Sequence, residues 1–394
     1  MFNHRGDRLA SWGYDGATRL WDPYSGKELV SIPGSYVQFS LDDRYLVYTD
    51  DKYVGILEIA TGHECRTFYP ATATEKQGPW SVDISPQGRL LASSHNEGVR
   101  LWDLATGKEL ALLPTGKGDA QFDPSGDTLI TSGATGCYRW PIATDPQRGV
   151  LMVGPPQKLA DAVGRSLLRR AGRWLGGVSG ASEYVVVNLD KPAEKVRLSG
   201  HAGASHFDIS PDGRWIATGC QHGEGIKVWD ARTGQVEREI AGGGYGWPTF
   251  SPDGKYLATV TTGHDTELWE VGSWRRKHHW AYPDMGGEFF SRDGTVMAIK
   301  HTRLTLTTLV DVETGKELAT LPAPQMLQIS DISFSPDGSV MAVGCYGDGV
   351  VQVWDLRAIR ARLKEMNLDW EARDYPPAED PAGQKPMRVE VVKE

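Results

Sequence analysis

Ser210-Pro211-Asp212-Gly213-Arg214-Trp215-Ile216-Ala217 belongs to a set of near-copies. Ser85-Pro86-Gln87-Gly88-Arg89-Leu90-Leu91-Ala92 and Ser251-Pro252-Asp253-Gly254-Lys255-Tyr256-Leu257-Ala258 align with it residue for residue, and Ser335-Pro336-Asp337-Gly338 opens a fourth. Beyond each turn lies an apolar strand ending in Trp and an acid: Trp102-Asp103, Trp229-Asp230, Trp269-Glu270 and Trp354-Asp355, with Trp21-Asp22 beginning the series. Leu57-Glu58, Trp140-Pro141, Val187-Asn188 and Val310-Asp311 hold the same place in degenerate copies. The 333 residues from Trp21 to Trp354 span eight intervals, about 42 residues per unit, the length of a four-stranded propeller blade. Proline presets φ for the second turn position, Asp accepts a local hydrogen bond at the third, and Gly takes the exit conformation, so each turn is a tight corner between strands. A second turn, at 106–110 and 314–318 with a variant at 25–29, separates the third and fourth strands of a unit. Its Gly-Lys is not a phosphate loop, because Glu follows and no helix begins there.

Composition agrees with many short strands. The chain has 394 residues, of which 46 are Gly and 14 Trp. No apolar run reaches the length of a spanning helix, and the amino terminus has no apolar region of secretory type. These features predict no membrane insertion by this chain and a cytoplasmic location, or an extracytoplasmic one if a membrane segment stood upstream. The net charge of −9 argues against nucleic acid as a partner. Cys65, Cys137, Cys220 and Cys345 are widely separated, with no zinc spacing, and read as free thiols. Neither a metal nor a cofactor is expected.

The repeat resembles that of the WD40 family over residues 1 to about 363, in nine units. It looks closest to the WD-repeat regions fused to bacterial serine/threonine protein kinases, where the last blade runs out into a helix and a proline-rich stretch like 355–363 followed by Leu368-Asp369-Trp370 and Tyr375-Pro376-Pro377. The chain contains no kinase signature of its own. The resemblance implies an all-β propeller and a buried His, Ser/Thr and Trp network, matched by His201, Thr218 and Trp229 in the unit that begins Gly200-His201. It also implies a noncatalytic scaffold that binds a protein or peptide, as the recognition or sensory part of a kinase-type signalling protein. Trp21, Asp22, Trp102, Asp103, Trp229, Asp230, Trp269, Trp354 and Asp355 carry the structural blade motif.

Nine units exceed the commonest ring. We expect two incomplete units over 1–70, a seven-bladed propeller over 71–366 ending in a helix with the apolar stripe Leu356, Ile359, Leu363 and Met366, and a flexible proline-rich tail over 367–394. The outer strand of the last blade would come from 64–69. An eight-bladed ring closed by 27–32 is the alternative.

The first strand of each unit lines the channel, so binding residues would be written in its alternation. Four residues before the turn stand Ser81, Asp119, Arg165, His206, Trp247 and Asp331, the candidate partner-binding rim. Trp247 and His206 are its strongest members, since interface anchors are commonly aromatic. Asp83 and Asp208, two residues before their turns, lie three blades apart, too far to share a metal. The basic run Arg275-Arg276-Lys277-His278-His279-Trp280 falls on an outer strand, where cations discourage edge pairing. Gly242-Gly243-Gly244-Tyr245-Gly246 leads into a strand and is not a dinucleotide fingerprint. Arg165, Arg169, Arg170 and Arg173 mark the most eroded unit. No catalytic constellation is visible. The alternative is a propeller hydrolase or lyase with a site in the channel, which converging carboxylates and histidines would support.

Overall fold

The computed structural model describes the chain apart from residues 5, 7, 14, 24–25, 41–44, 50–53, 60–64, 71–77, 162–166, 170–172, 180–182, 192, 221–222, 241–244, 262–264, 282–286, 302–305, 323–327, 347–348, 366, 378–386 and 393–394. Arg165, Arg170, Met366 and Gly242 to Gly244 therefore lie outside the described residues.

The corners form as the sequence dictates. Ser210 Oγ donates to Asp212 Oδ1 at 2.5 Å and accepts from Trp215 N at 2.8 Å, while Arg214 N donates to the same carboxylate at 3.0 Å. Gly213 turns the chain at φ +71°, where a Cβ is costly. Ser251 with Asp253, Ser291 with Asp293 and Ser335 with Asp337 repeat the Ser-to-Asp bond at 2.7, 2.6 and 2.6 Å. Burial works against the charge of Asp212, yet the bonds from Ser210 and Arg214 N hold its carboxyl below the ordinary range.

The corners fold the chain into antiparallel sheets of consecutive strands, making an all-β propeller. The first sheet runs Val82–Ile84, Leu90–Ser94, Val99–Asp103 and Glu109–Leu113. Sheets beginning at Gly118–Phe122, Leu167–Arg169, Ala204–Ile209, Gly246–Phe250, Glu288–Phe290 and Ile329–Phe334 come next in chain order. The seventh has only three strands of its own, and its fourth is Cys65–Phe68, paired antiparallel to Val350–Asp355. Strand Lys27–Pro33 instead pairs with Ala17–Asp22 in a separate three-stranded sheet.

Buried apolar residues lie between sheets, since each sheet must cover two faces. Leu101 and Leu113 of the first sheet pack on Phe122 and Leu129 of the second. Tyr184 and Val186 of the third meet Phe207 and Trp229 of the fourth. Phe68, Val351 and Val353 of the seventh meet Ile84, Leu91 and Trp102 of the first. Polar bonds join the inner strands in the same order. Val82 N and Ile84 N donate to Asp331 Oδ2 and Ser333 Oγ at 2.8 and 3.3 Å. Ala120 N and Phe122 N donate to Ser81 Oγ and Asp83 Oδ2 at 3.1 and 2.8 Å, and Phe250 N donates to Asp208 Oδ2 at 2.7 Å.

Helix Leu356–Glu365 succeeds the last sheet, with Leu356 buried and Ile359 packed on the sheet, as its stripe predicts; Leu363 is half-buried. Described residues beyond the helix, on both sides of 378–386, make contacts with the rest of the fold. Arg360, buried, donates to Asp369 Oδ1 and Oδ2 at 2.9 Å each and to the carbonyls of Ala372 and Arg373 at 3.0 and 2.7 Å. It pins the segment after the helix. Farther on, Val389–Val391 pairs in parallel with Val150–Val153 of the second sheet, and Met387, Val389 and Val391 pack on its core. Alternating apolar residues meeting an unpaired edge explain this docking. Deleting residues 386–394 should accordingly lower the melting temperature in calorimetry by at least about 2 °C, the shift expected for each kcal/mol lost in a domain of this size. An unchanged melting curve would show that the strand is dispensable.

Two small sheets precede the propeller strands. Leu9–Trp12, Ala17–Asp22 and Lys27–Pro33 form one; Ser35–Phe39, Tyr45–Thr49 and Val54–Glu58 form the other. They share a core of Ala10, Leu20, Val37, Phe39 and Leu46.

Candidate interaction face

The first strands of the sheets with described corners run toward those corners, so the residues at their beginnings gather at the opposite end. There His206 stacks on Trp247 with ring centroids 4.2 Å apart, and Tyr245 lies 6.1 Å from His206. Lys300, from the next sheet, places Nζ 5.3 Å from the Trp247 ring and 5.6 Å from that of Phe289 while donating to Ser330 O at 2.8 Å. The lysine is buried, and its ammonium is fixed between the Ser330 carbonyl and the two rings. A second group stands on the first sheet: Trp80 meets Tyr346 edge-on at 5.3 Å and donates to Asn96 Oδ1 at 3.0 Å, and exposed Lys117 lies 3.3 Å above its ring.

The six rim candidates divide by role. Trp247 and His206 come together, half-buried. Asp331 and Ser81 use an oxygen to hold the neighbouring inner strand, and Asp119 N is held by Ser132 Oγ at 3.3 Å. Arg165 lies outside the described residues. Sequence reasoning missed Trp80, Lys117, Tyr346 and Lys300. A signal existed for Trp80, which directly precedes the rim position of Ser81; the others come from loops and second strands, whose facing only the three-dimensional register reveals.

Beneath the face, the blade network is fuller than the Gly-His dipeptide implies. Trp229 Nε1 donates to Thr218 Oγ1 at 2.7 Å, and His201 Nδ1 lies 2.7 Å from the same oxygen. The first sheet repeats this without the dipeptide: Trp102 Nε1 donates to Ser93 Oγ at 2.7 Å, and His95 Nε2 lies 2.9 Å from that hydroxyl. Burial, with Arg100 and Lys227 adding repulsion, pushes His95 and His201 down to about 4. A histidine whose folded pKa is depressed takes up its proton first in the unfolded chain, so stability is full above about pH 6.5 and is lost as pH falls toward about 4. Urea midpoints should fall across that window, and His95→Gln and His201→Gln should flatten the fall. A profile identical in the variants would contradict this.

The basic run is largely neutralised. Arg275 pairs with Glu270 at 3.1 Å, Arg276 with Glu267 at 2.6 Å, Lys277 with Glu313 at 2.6 Å, and His279 lies 3.2 Å from Asp265. Trp280 is on the outer strand, as expected, and its ring is buried against the next sheet, where it donates to Gly315 O at 3.0 Å. Asp83 accepts from Phe122 N and Ser333 Oγ and lies 3.4 Å from Arg292; burial raises its carboxyl above the ordinary range against these partners. Asp83 and Asp208 thus each serve a neighbouring strand. Among the described residues no group of three or more His, Cys, Asp or Glu is placed to hold a metal, and no helix is long and apolar enough to cross a membrane.

Three segments, residues 63–103, 193–230 and 315–355, match the family model described as WD domain, G-beta repeat. Each runs from an outer strand into the first three strands of another sheet, and the earliest begins beside the Cys65–Phe68 strand that completes the seventh sheet. The chain is also similar to the Periodic tryptophan protein 2 homolog of Dictyostelium discoideum, 25% identical over 180 residues. That match spans 42% of this chain and 18% of the relative.

Proposed function

We propose that this β-propeller, which carries WD40 repeats, is a noncatalytic scaffold that binds a protein or peptide on the channel face around Trp247, and that its seven sheets close as one seven-bladed unit. WD40 repeats suggest a protein-interaction scaffold. The observation that carries the choice of face is the contact of His206, Trp247 and Lys300, contributed by three consecutive sheets. A tilted, half-buried aromatic pair suits an extended peptide bearing an apolar side chain. The run-out into helix Leu356–Glu365 and Tyr375-Pro376-Pro377, like that of kinase-fused WD regions, supports recognition within a kinase-type signalling system. Affinity capture with the intact chain, followed by mass spectrometry and titration of the recovered protein, tests the reading. A saturable partner competed by a peptide of its own sequence is expected; recovery of a turned-over small molecule instead would make the protein an enzyme.

A further inference from the structure

Strand Val389–Val391 lies parallel to Val150–Val153, whereas every other described pairing of strands is antiparallel. Its partner stands outside the repeat as well. Strand Gly136–Asp145 pairs with Thr128–Gly133 and Gln157–Ala160 through residues 136–141, as a third blade strand does, and then runs on through residues 142–145 to form a hairpin with Val150–Val153. Val389–Val391 sits between this hairpin and the outer strand of the first sheet, Glu109–Leu113.

The groove is shaped for an extended chain. Met387, Val389 and Val391 face in, beside Leu110 and Leu151 on the core that holds Leu113 and Trp140, while Arg388 and Glu390 are exposed. Leu151 N donates to Arg388 O and Val392 N donates to Val153 O, each at 2.8 Å. Gly154 turns at φ +102°, and a Cβ there would stand 2.6 Å from Val392 O, so glycine is what admits the strand this closely. Arg148 pairs with Glu390 at 2.5 Å, the two side chains 54% and 48% exposed. An ion pair so open to water selects an acid more than it holds one.

We propose that this groove is a second peptide-docking site, sharing no residue with the face around Trp247, and that Met387–Val391 is the resident stand-in for a segment of a partner protein. The incoming segment adds in parallel to Val150–Val153, with apolar residues at alternate positions facing in and an acid beside Arg148. Three paired residues on one edge hold the resident strand, so a partner's segment enters as it leaves.

A fluorescein-labelled peptide of residues 386–394, titrated by anisotropy against the full chain, tests this. The wild-type chain should bind it measurably. The full chain carrying Val389→Asp and Val391→Asp, whose groove is vacated, should bind it at least tenfold more tightly, and adding Trp247→Ala to that variant should change nothing. In the vacated groove a Glu390→Arg peptide should bind more weakly than the natural one, and Arg148→Glu should reverse that preference. Met152 and Glu390 are paired across the two strands, so a full chain with Met152→Cys and Glu390→Cys should lose peptide binding on oxidation and regain it on reduction. Equal affinity of the wild-type chain and the vacated variant overturns the proposal, as does a wild-type chain that binds no peptide at a hundred times the concentration saturating the variant. So does binding that survives the oxidised lock, or a charge preference that Arg148→Glu leaves unchanged.

Discussion

Trp229→Ala is expected to cost about 3–5 kcal/mol, the range for deleting a large buried aromatic. Trp229 is 1% exposed between the third and fourth sheets, beside Tyr184, Val186 and Phe207. Its loss also takes a donor from Thr218 Oγ1, leaving His201 and the Lys227 carbonyl as partners of that buried hydroxyl. Trp12, 45% exposed on the first small sheet, provides the contrast, since Trp12→Ala should change stability by less than about 1 kcal/mol. Urea titrations of the two variants decide the matter. Comparable midpoint shifts would contradict the assignment of Trp229 to an inter-sheet core.

The second large effect is expected at the strand that completes the seventh sheet. Phe68 is 3% exposed, lies 5.9 Å from the Trp102 ring, and shares a cluster with Val351 and Val353. Arg66 reaches across to donate to Leu104 O and Ala105 O at 2.8 and 2.6 Å. Phe68→Ala should alone cost about 3–5 kcal/mol. A chain beginning at residue 78 should lose more, because it also leaves strand Val350–Asp355 without its outer partner, whereas one beginning at residue 60 should keep the melting temperature of the propeller. If the two truncations melt alike, Cys65–Phe68 does not close the structure.

Much of the fold could be read because its information is local. Ser210, Asp212 and Gly213 specify a corner within four residues, and the corner recurs at Ser251 and Ser335, so the blade unit and its period emerge without tertiary knowledge. The role of 64–69 came from counting strands, since a last unit with three strands needs a fourth. Long-range pairings were not legible. Val389–Val391 meets Val150–Val153 across some 240 residues of chain, and nothing in its short alternation names that partner. The burial of Trp280 was not legible, because an outer strand turns one row of side chains toward the next sheet's corner, here Gly315. His95 joins Ser93 and Trp102 without the dipeptide that marks His201, as it sits after the second strand and not before the first. At the face, Trp247 and His206 were legible from register. Lys300 was not, because its stem crosses from a second strand to Trp247 of the preceding sheet.

Binding by the channel face is tested most directly by titrating one captured partner against the intact chain, Trp247→Ala and Arg276→Ala in parallel. Trp247 is half-buried at the face, and its removal should weaken binding by about 2 kcal/mol or more with little change in the far-ultraviolet spectrum. Arg276, on outer strand Arg276–Ala281 and paired with Glu267, should be silent. Loss of binding in Arg276→Ala with full binding in Trp247→Ala would move the site to the outer edge of the propeller and contradict the account.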